Sequence, residues 1–137
     1  MPVLLLSLFL AMTSPEPLTL TITDLSDTKA TLFVAVYTEK DGFPKATGAP
    51  RGYKLEPGGK TSATLRIDDL PYGTYAIAIF QDTNGNGKLD TGAFGIPKEP
   101  YAFSNNFRPR FSAPKWADCR FEYSAQTHAQ RIKLLNT

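Results

Sequence analysis

The chain has 137 residues, 42% of them hydrophobic and 20% charged, which suits one domain with its own hydrophobic core and excludes a disordered segment. Fifteen Lys and Arg against thirteen Asp and Glu leave a formal net charge of +2, with no basic run, so the electrostatic footprint of a nucleic-acid binder is missing. A single cysteine, Cys119, excludes an intrachain disulfide and a cysteine-based metal site.

In chain order, Val3 to Met12 comes first, an apolar run too short to cross a bilayer as a helix. It suits the hydrophobic region of a secretory signal, and Pro15-Glu16-Pro17 breaks the chain after it. These features predict a signal peptide over residues 1–16 and a single domain over 17–137, in a protein that is exported to the periplasm or beyond and does not span a membrane. Its partner would be an extracytoplasmic ligand or protein, not nucleic acid.

From Leu18 the apolar period is two. Leu18, Leu20 and Ile22 alternate with threonines, as in a strand buried on one face. In Ala30 to Tyr37, Leu32, Val34 and Val36 lie on one face and Phe33, Ala35 and Tyr37 on the other, the pattern of a central strand covered on both sides. Gly42 to Pro57 reads as a loop, punctuated by glycine and proline. Thr61 to Ile67 and Thr74 to Phe80 alternate again, Gln81 to Lys115 has no sustained period, and Cys119 to Tyr123 and Arg131 to Leu135 close the domain. No segment has helical periodicity. About seven short strands divided by turns predict an all-β fold, a two-sheet antiparallel sandwich of immunoglobulin or transthyretin type.

The sharpest local signal is Asp82-Thr83-Asn84-Gly85-Asn86-Gly87-Lys88-Leu89-Asp90. Oxygen side chains stand at its first, third, fifth and ninth places, with glycine at the sixth, where an EF-hand-type calcium loop turns sharply. A hard cation needs several oxygens converging on one point, and side chains two apart on a coiling chain supply them. Asp82, Asn84, Asn86 and Asp90, with the Lys88 carbonyl, are therefore candidate calcium ligands. The twelfth place is Ala93 rather than Glu, so Glu99 or Asp41 would have to complete the shell. A plain hairpin turn at Asn-Gly is the alternative.

Tyr101, Phe103, Phe107, Phe111 and Trp116 concentrate aromatic rings in a loop-rich stretch. Tyr101, Phe103, Asn105 and Trp116 are candidate residues for a carbohydrate- or peptide-binding surface, and a small local core is the alternative. Nothing marks a catalytic nucleophile: Cys119 alternates with apolar residues as if facing a core, and the one histidine, His128, lies in a polar stretch. A transthyretin-like hydrolase would bring several histidines, so a non-catalytic module is the leading expectation and an enzyme of that type the weakest.

Tyr75 to Phe80, Asp82 to Asp90, Gly95-Ile96-Pro97-Lys98-Glu99 and Phe103-Ser104-Asn105-Asn106 together closely resemble a bacterial family of exported proteins, domain of unknown function 2141. The likeness runs from about Leu18 to Leu135. It implies an extracytoplasmic β-sandwich and no known reaction. Members of that family often carry His before the first aspartate and Glu after it, where this chain has Gln81 and Thr83. They also carry Gly-Tyr-Gly-Phe-Ser-Asn, where this chain reads Pro100-Tyr101-Ala102-Phe103-Ser104-Asn105. With Gln81 in place, a histidine-dependent role is not expected.

Overall fold

The computed structural model describes residues 15–45, 48–89, 91 and 97–136. The apolar run of the expected signal segment lies outside these residues, as do Asp90 and Ala93. The contacts of the domain reach back to Glu16, whose N–H donates to the Tyr72 hydroxyl at 2.8 Å and whose carbonyl accepts from the Tyr123 hydroxyl.

Eight strands form among the described residues. Strand β1 (Leu18–Thr23) buries Leu18, Leu20 and Ile22 completely and leaves its threonines half-exposed, so the period of two is a record of which face meets the core. Its neighbours are β4 (Ala63–Ile67), antiparallel, and β8 (Ala129–Lys133), which runs parallel to it. The antiparallel sandwich expected from the sequence has this one parallel pair. A parallel pair needs a long crossover, and the intervening chain, which builds the second sheet, supplies one.

The second sheet is ordered β3 (Arg51–Leu55), β2 (Leu32–Tyr37), β5 (Gly73–Gln81), β6 (Tyr101–Phe103), with β7 (Phe121–Tyr123) pairing the start of β5. Strand β3 lies inside the stretch read as a loop. It is an edge strand with mostly exposed side chains, so it has no apolar alternation, and its ladder to β2 holds it. Likewise the alternation over Ala117 to Tyr123 is not all strand. Trp116–Cys119 is a single helical turn, α1, with the Asp118 carboxylate accepting the Lys115 N–H at 3.1 Å.

Leu18, Leu20, Ile22 and Ile132 from one sheet meet Leu32, Val34, Val36, Ile77 and Ile79 from the other in one core. The two sheets are thus the layers of a sandwich. Each fully buried aliphatic side chain contributes about 1.5–3 kcal/mol.

Candidate functional site

The turn after β5 is built on Asp82, 7% exposed. Its Oδ1 accepts the Asn86 N–H at 3.2 Å and its Oδ2 the Gly87 N–H at 2.7 Å. Asn84 Oδ1 also accepts from Asn86 N–H, at 3.2 Å, and Asn86 Oδ1 accepts from Lys88 N–H at 2.9 Å. Gly87, with φ of 74°, takes the left-handed conformation for which a side chain is penalised. Three predicted ligands are thereby gathered on one loop with their oxygens toward its backbone. Asp90 lies outside the described residues.

Of the two carboxylates expected to complete a shell, the structure brings Glu99 to this loop. Glu99 is 3% exposed, and its Oε2 accepts the Thr83 N–H at 2.7 Å. Asp41 is used elsewhere: its oxygens accept the N–H groups of Thr38 and Ala49 at the other end of β2, at 2.7 and 3.3 Å. Thr83, Asn84, Lys98 and Glu99 line a small polar cleft of about 390 Å³. Among the described residues, no three His, Cys, Asp or Glu side chains converge as a metal-ion site. The donor set is Asn, carbonyl and isolated carboxylate, the chemistry of a hard cation.

The Phe-Ser-Asn-Asn run, by contrast, is tied into the frame. Ser104, fully buried, accepts from the Ile77 N–H at 2.9 Å and donates to the Cys119 carbonyl at 2.5 Å. Asn105, with φ of 62°, donates its amide to the carbonyls of Asp118 and Arg120 at 3.2 and 2.8 Å. Asn106 grips β8, donating to the Arg131 carbonyl at 3.2 Å and accepting from the Lys133 N–H at 2.8 Å. Ser104 and Asn106 bond strand backbone where a neighbouring strand would otherwise pair.

The family model described as an uncharacterized protein conserved in bacteria (DUF2141) matches residues 20–131, from β1 to β8. The chain belongs to the DUF2141 family. No curated protein and no solved structure gives a significant match.

In this DUF2141 chain Gln81 is fully buried, and its Nε2 donates to the Asp27 and Ala30 carbonyls at 2.8 and 2.9 Å. Its Oε1 has no hydrogen-bond partner among the described residues. Gln81 therefore fastens the Asp27–Ala30 turn over the core, with its side chain committed to that turn. Cys119 is fully buried, and burial first, then the Asp118 charge, pushes its thiol up to about 12; such a thiol is not a nucleophile at neutral pH.

Tyr101 and Phe103 lie together on the outer face of β6, ring centroids 5.9 Å apart. Phe43 packs edge-on to Phe103 at 5.9 Å, and Phe33 stacks on Phe80 at 5.0 Å. Trp116 is half-buried on α1 and joins no ring pair among the described residues. The outer-face rings Phe33, Phe43 and Phe80 were not singled out from the sequence. The signal for Phe33 and Phe80 was the second face of β2 and β5, which only the strand register joins into one surface; Phe43 comes from the loop after β2. Arg131 and Lys133 share a cleft with Arg108 in this DUF2141 fold.

Proposed function

We propose that this protein is an exported, non-catalytic β-sandwich binding module whose Asp82–Glu99 loop is braced by calcium. One observation supports the reading above the rest: Asp82, Asn84 and Asn86 all turn their side-chain oxygens toward the backbone of a single loop. Calcium takes about six to eight oxygens, and the charge count of the site sets its affinity. Asp82, Asn84, Asn86, Asp90 and the Lys88 carbonyl form the set, with Glu99 adjoining. With so few carboxylates, the affinity falls in the extracellular range, on the order of 0.1–1 mM. The apolar Val3–Met12 run supports export to a compartment where calcium reaches such levels.

The test is thermal melting with calcium against a chelator. A ligand that binds only the folded state at ten times its dissociation constant adds about 1.4 kcal/mol. Millimolar calcium raises the melting temperature of the native protein and not of Asp82→Ala, and magnesium raises it less. No shift, or the same shift in the variant, leaves the loop as a hydrogen-bonded turn.

A second reading, carbohydrate binding, rests on the outer face of the five-stranded sheet. There Phe33, Phe80 and Tyr101 are register neighbours in one row across the strands, and Gly52, Ala35, Ala78 and Phe103 in the next. Aromatic rings beside a strip of small residues form a shallow platform for the apolar faces of sugar rings. A peptide would instead seek an open sheet edge for main-chain pairing. Tyrosine fluorescence titrated with soluble gluco- and chito-oligosaccharides tests it. Saturable quenching that Tyr101→Ala abolishes supports the reading, and its absence rejects it.

A further inference from the structure

We infer that the seam between the two sheets is a binding site for a small organic anion with a flat apolar body, of arene-carboxylate chemistry. At this seam β6 meets the chain after β8: Tyr101 and Leu135 exchange backbone hydrogen bonds at 3.1 and 2.8 Å. Beside them opens a cleft of about 500 Å³, a size typical of small-molecule sites.

The cleft is two-sided in its chemistry. Phe103, Phe107 and Leu135, all half-buried, give it an apolar wall, and Arg108, Arg131 and Lys133 give it three cations. Arg131 and Lys133 flank the buried Ile132 on β8, so alternation sends both to the same side of the strand, about 7 Å apart. Among the described residues none of the three cationic heads has an ion-pair or hydrogen-bond partner. The one acid on the lining is Asp24, whose Oδ2 accepts from the Thr23 hydroxyl at 3.2 Å. Three cations against one carboxylate leave the lining with an excess of positive charge, and an anion seated among them relieves their mutual repulsion. A guanidinium offers it a two-pronged hydrogen bond besides.

The frame behind the cations is fixed. Asn106 holds the backbone of both Arg131 and Lys133, so the strand positions from which the two side chains project are set before a ligand arrives. Asp24 and Asn106 both line the cleft, and both are non-glycine residues in the left-handed region, with φ of 62° and 52°. Such strain persists where the surrounding structure enforces it, and it concentrates at binding sites. A bare inorganic anion would leave the Phe103–Phe107 wall in water, and a neutral arene would leave the cations unmatched. A ligand with an anionic group at one end and a flat apolar body satisfies both sides.

The experiment uses 2-naphthoate as the probe, titrated into isotopically labelled protein and followed by backbone amide shifts. Inorganic phosphate and neutral 2-naphthalenemethanol are parallel arms. The expected result is saturable shifts at residues 106–108 and 131–135 with a dissociation constant on the order of 1 mM or tighter. Arg131→Gln/Lys133→Gln weakens binding at least about tenfold, the loss of one charge-assisted hydrogen bond or more. Phe107→Ala weakens naphthoate and leaves phosphate unchanged. Arg108→Gln, outside the strands, provides a second charge variant should the double variant lose its fold. The inference is overturned by unsaturable shifts, by undiminished affinity in the charge variants, or by phosphate or the neutral alcohol binding as tightly as naphthoate. Shifts centred on Phe33 and Phe80 would place the probe on the outer sheet face and also overturn it.

Discussion

The hydroxyl of Ser104 occupies the point where β5 changes partners, accepting the Ile77 N–H at 2.9 Å. On that edge β7 pairs Gly73 to Tyr75 and β6 pairs Ala78 to Phe80, so the ladder has a gap between them. Ser104 fills it and donates its own hydroxyl hydrogen bond to the Cys119 carbonyl at 2.5 Å. One buried side chain thus joins β5 to the turn α1, and through α1 to β7.

Ser104→Ala leaves a buried N–H and a buried carbonyl without partners. An unsatisfied buried group costs about 1–3 kcal/mol, so the variant is expected to lose about 2 kcal/mol or more. For a domain of this size that is a melting temperature lower by roughly 8 °C or more. Denaturant unfolding measures it; a loss below about 0.5 kcal/mol, the usual size for a neutral surface change, would mean that the gap closes without the hydroxyl.

Asn106 combines a left-handed backbone with two bonds to β8. Asn106→Ala loses the bonds and adds a side chain poorly suited to that conformation. Asn106→Gly loses the same bonds but relieves the backbone. The glycine variant is therefore expected to be the more stable of the two by about 1 kcal/mol. Parallel urea melts give the comparison, and equal stabilities would show that backbone conformation is not a factor there.

The Cys119 thiol is pushed from 9.0 up to about 12, by burial first and then by Asp118. Its folded value lies above its unfolded one, so the stabilisation is complete below pH 9 and is lost as pH rises toward 12. Tyr53 shifts the same way, to about 12, from burial and then its hydrogen bond to Asp69. Wild-type stability should fall between about pH 9 and pH 10.5, and fall less in Cys119→Ala. The native thiol should also resist a thiol-specific disulfide reagent at pH 8 until denaturant is added. Rapid native reaction would show that the site opens.

Without calcium, Asp82→Ala removes two acceptors from the turn after β5, those of the Asn86 and Gly87 N–H groups. Both donors are at the exposed end of the loop, where water replaces the carboxylate, so the expected loss is about 1 kcal/mol. Asp82→Asn, which retains one acceptor, should fall between wild type and alanine. Chemical denaturation in chelator gives the order, and an alanine variant as stable as wild type would show that the carboxylate does not hold the turn.

Alternation in the sequence was enough to place β1, β2, β4 and β5 and, in β1, to name the residues turned inward, because the period of two follows directly from which face is buried. The oxygen spacing of Asp82, Asn84 and Asn86 was equally legible, since a tight loop is made by neighbours in the chain. Strand β3 was not legible: an edge strand buries little, and its existence depends on the ladder to β2. The parallel pairing of β8 with β1, the placing of Glu99 rather than Asp41 beside the Asp82 loop, and the meeting of Arg108 with Arg131 and Lys133 were decided only by the tertiary structure. Each joins segments far apart in the chain, and residue periodicity reports the burial of a face without reporting what covers it.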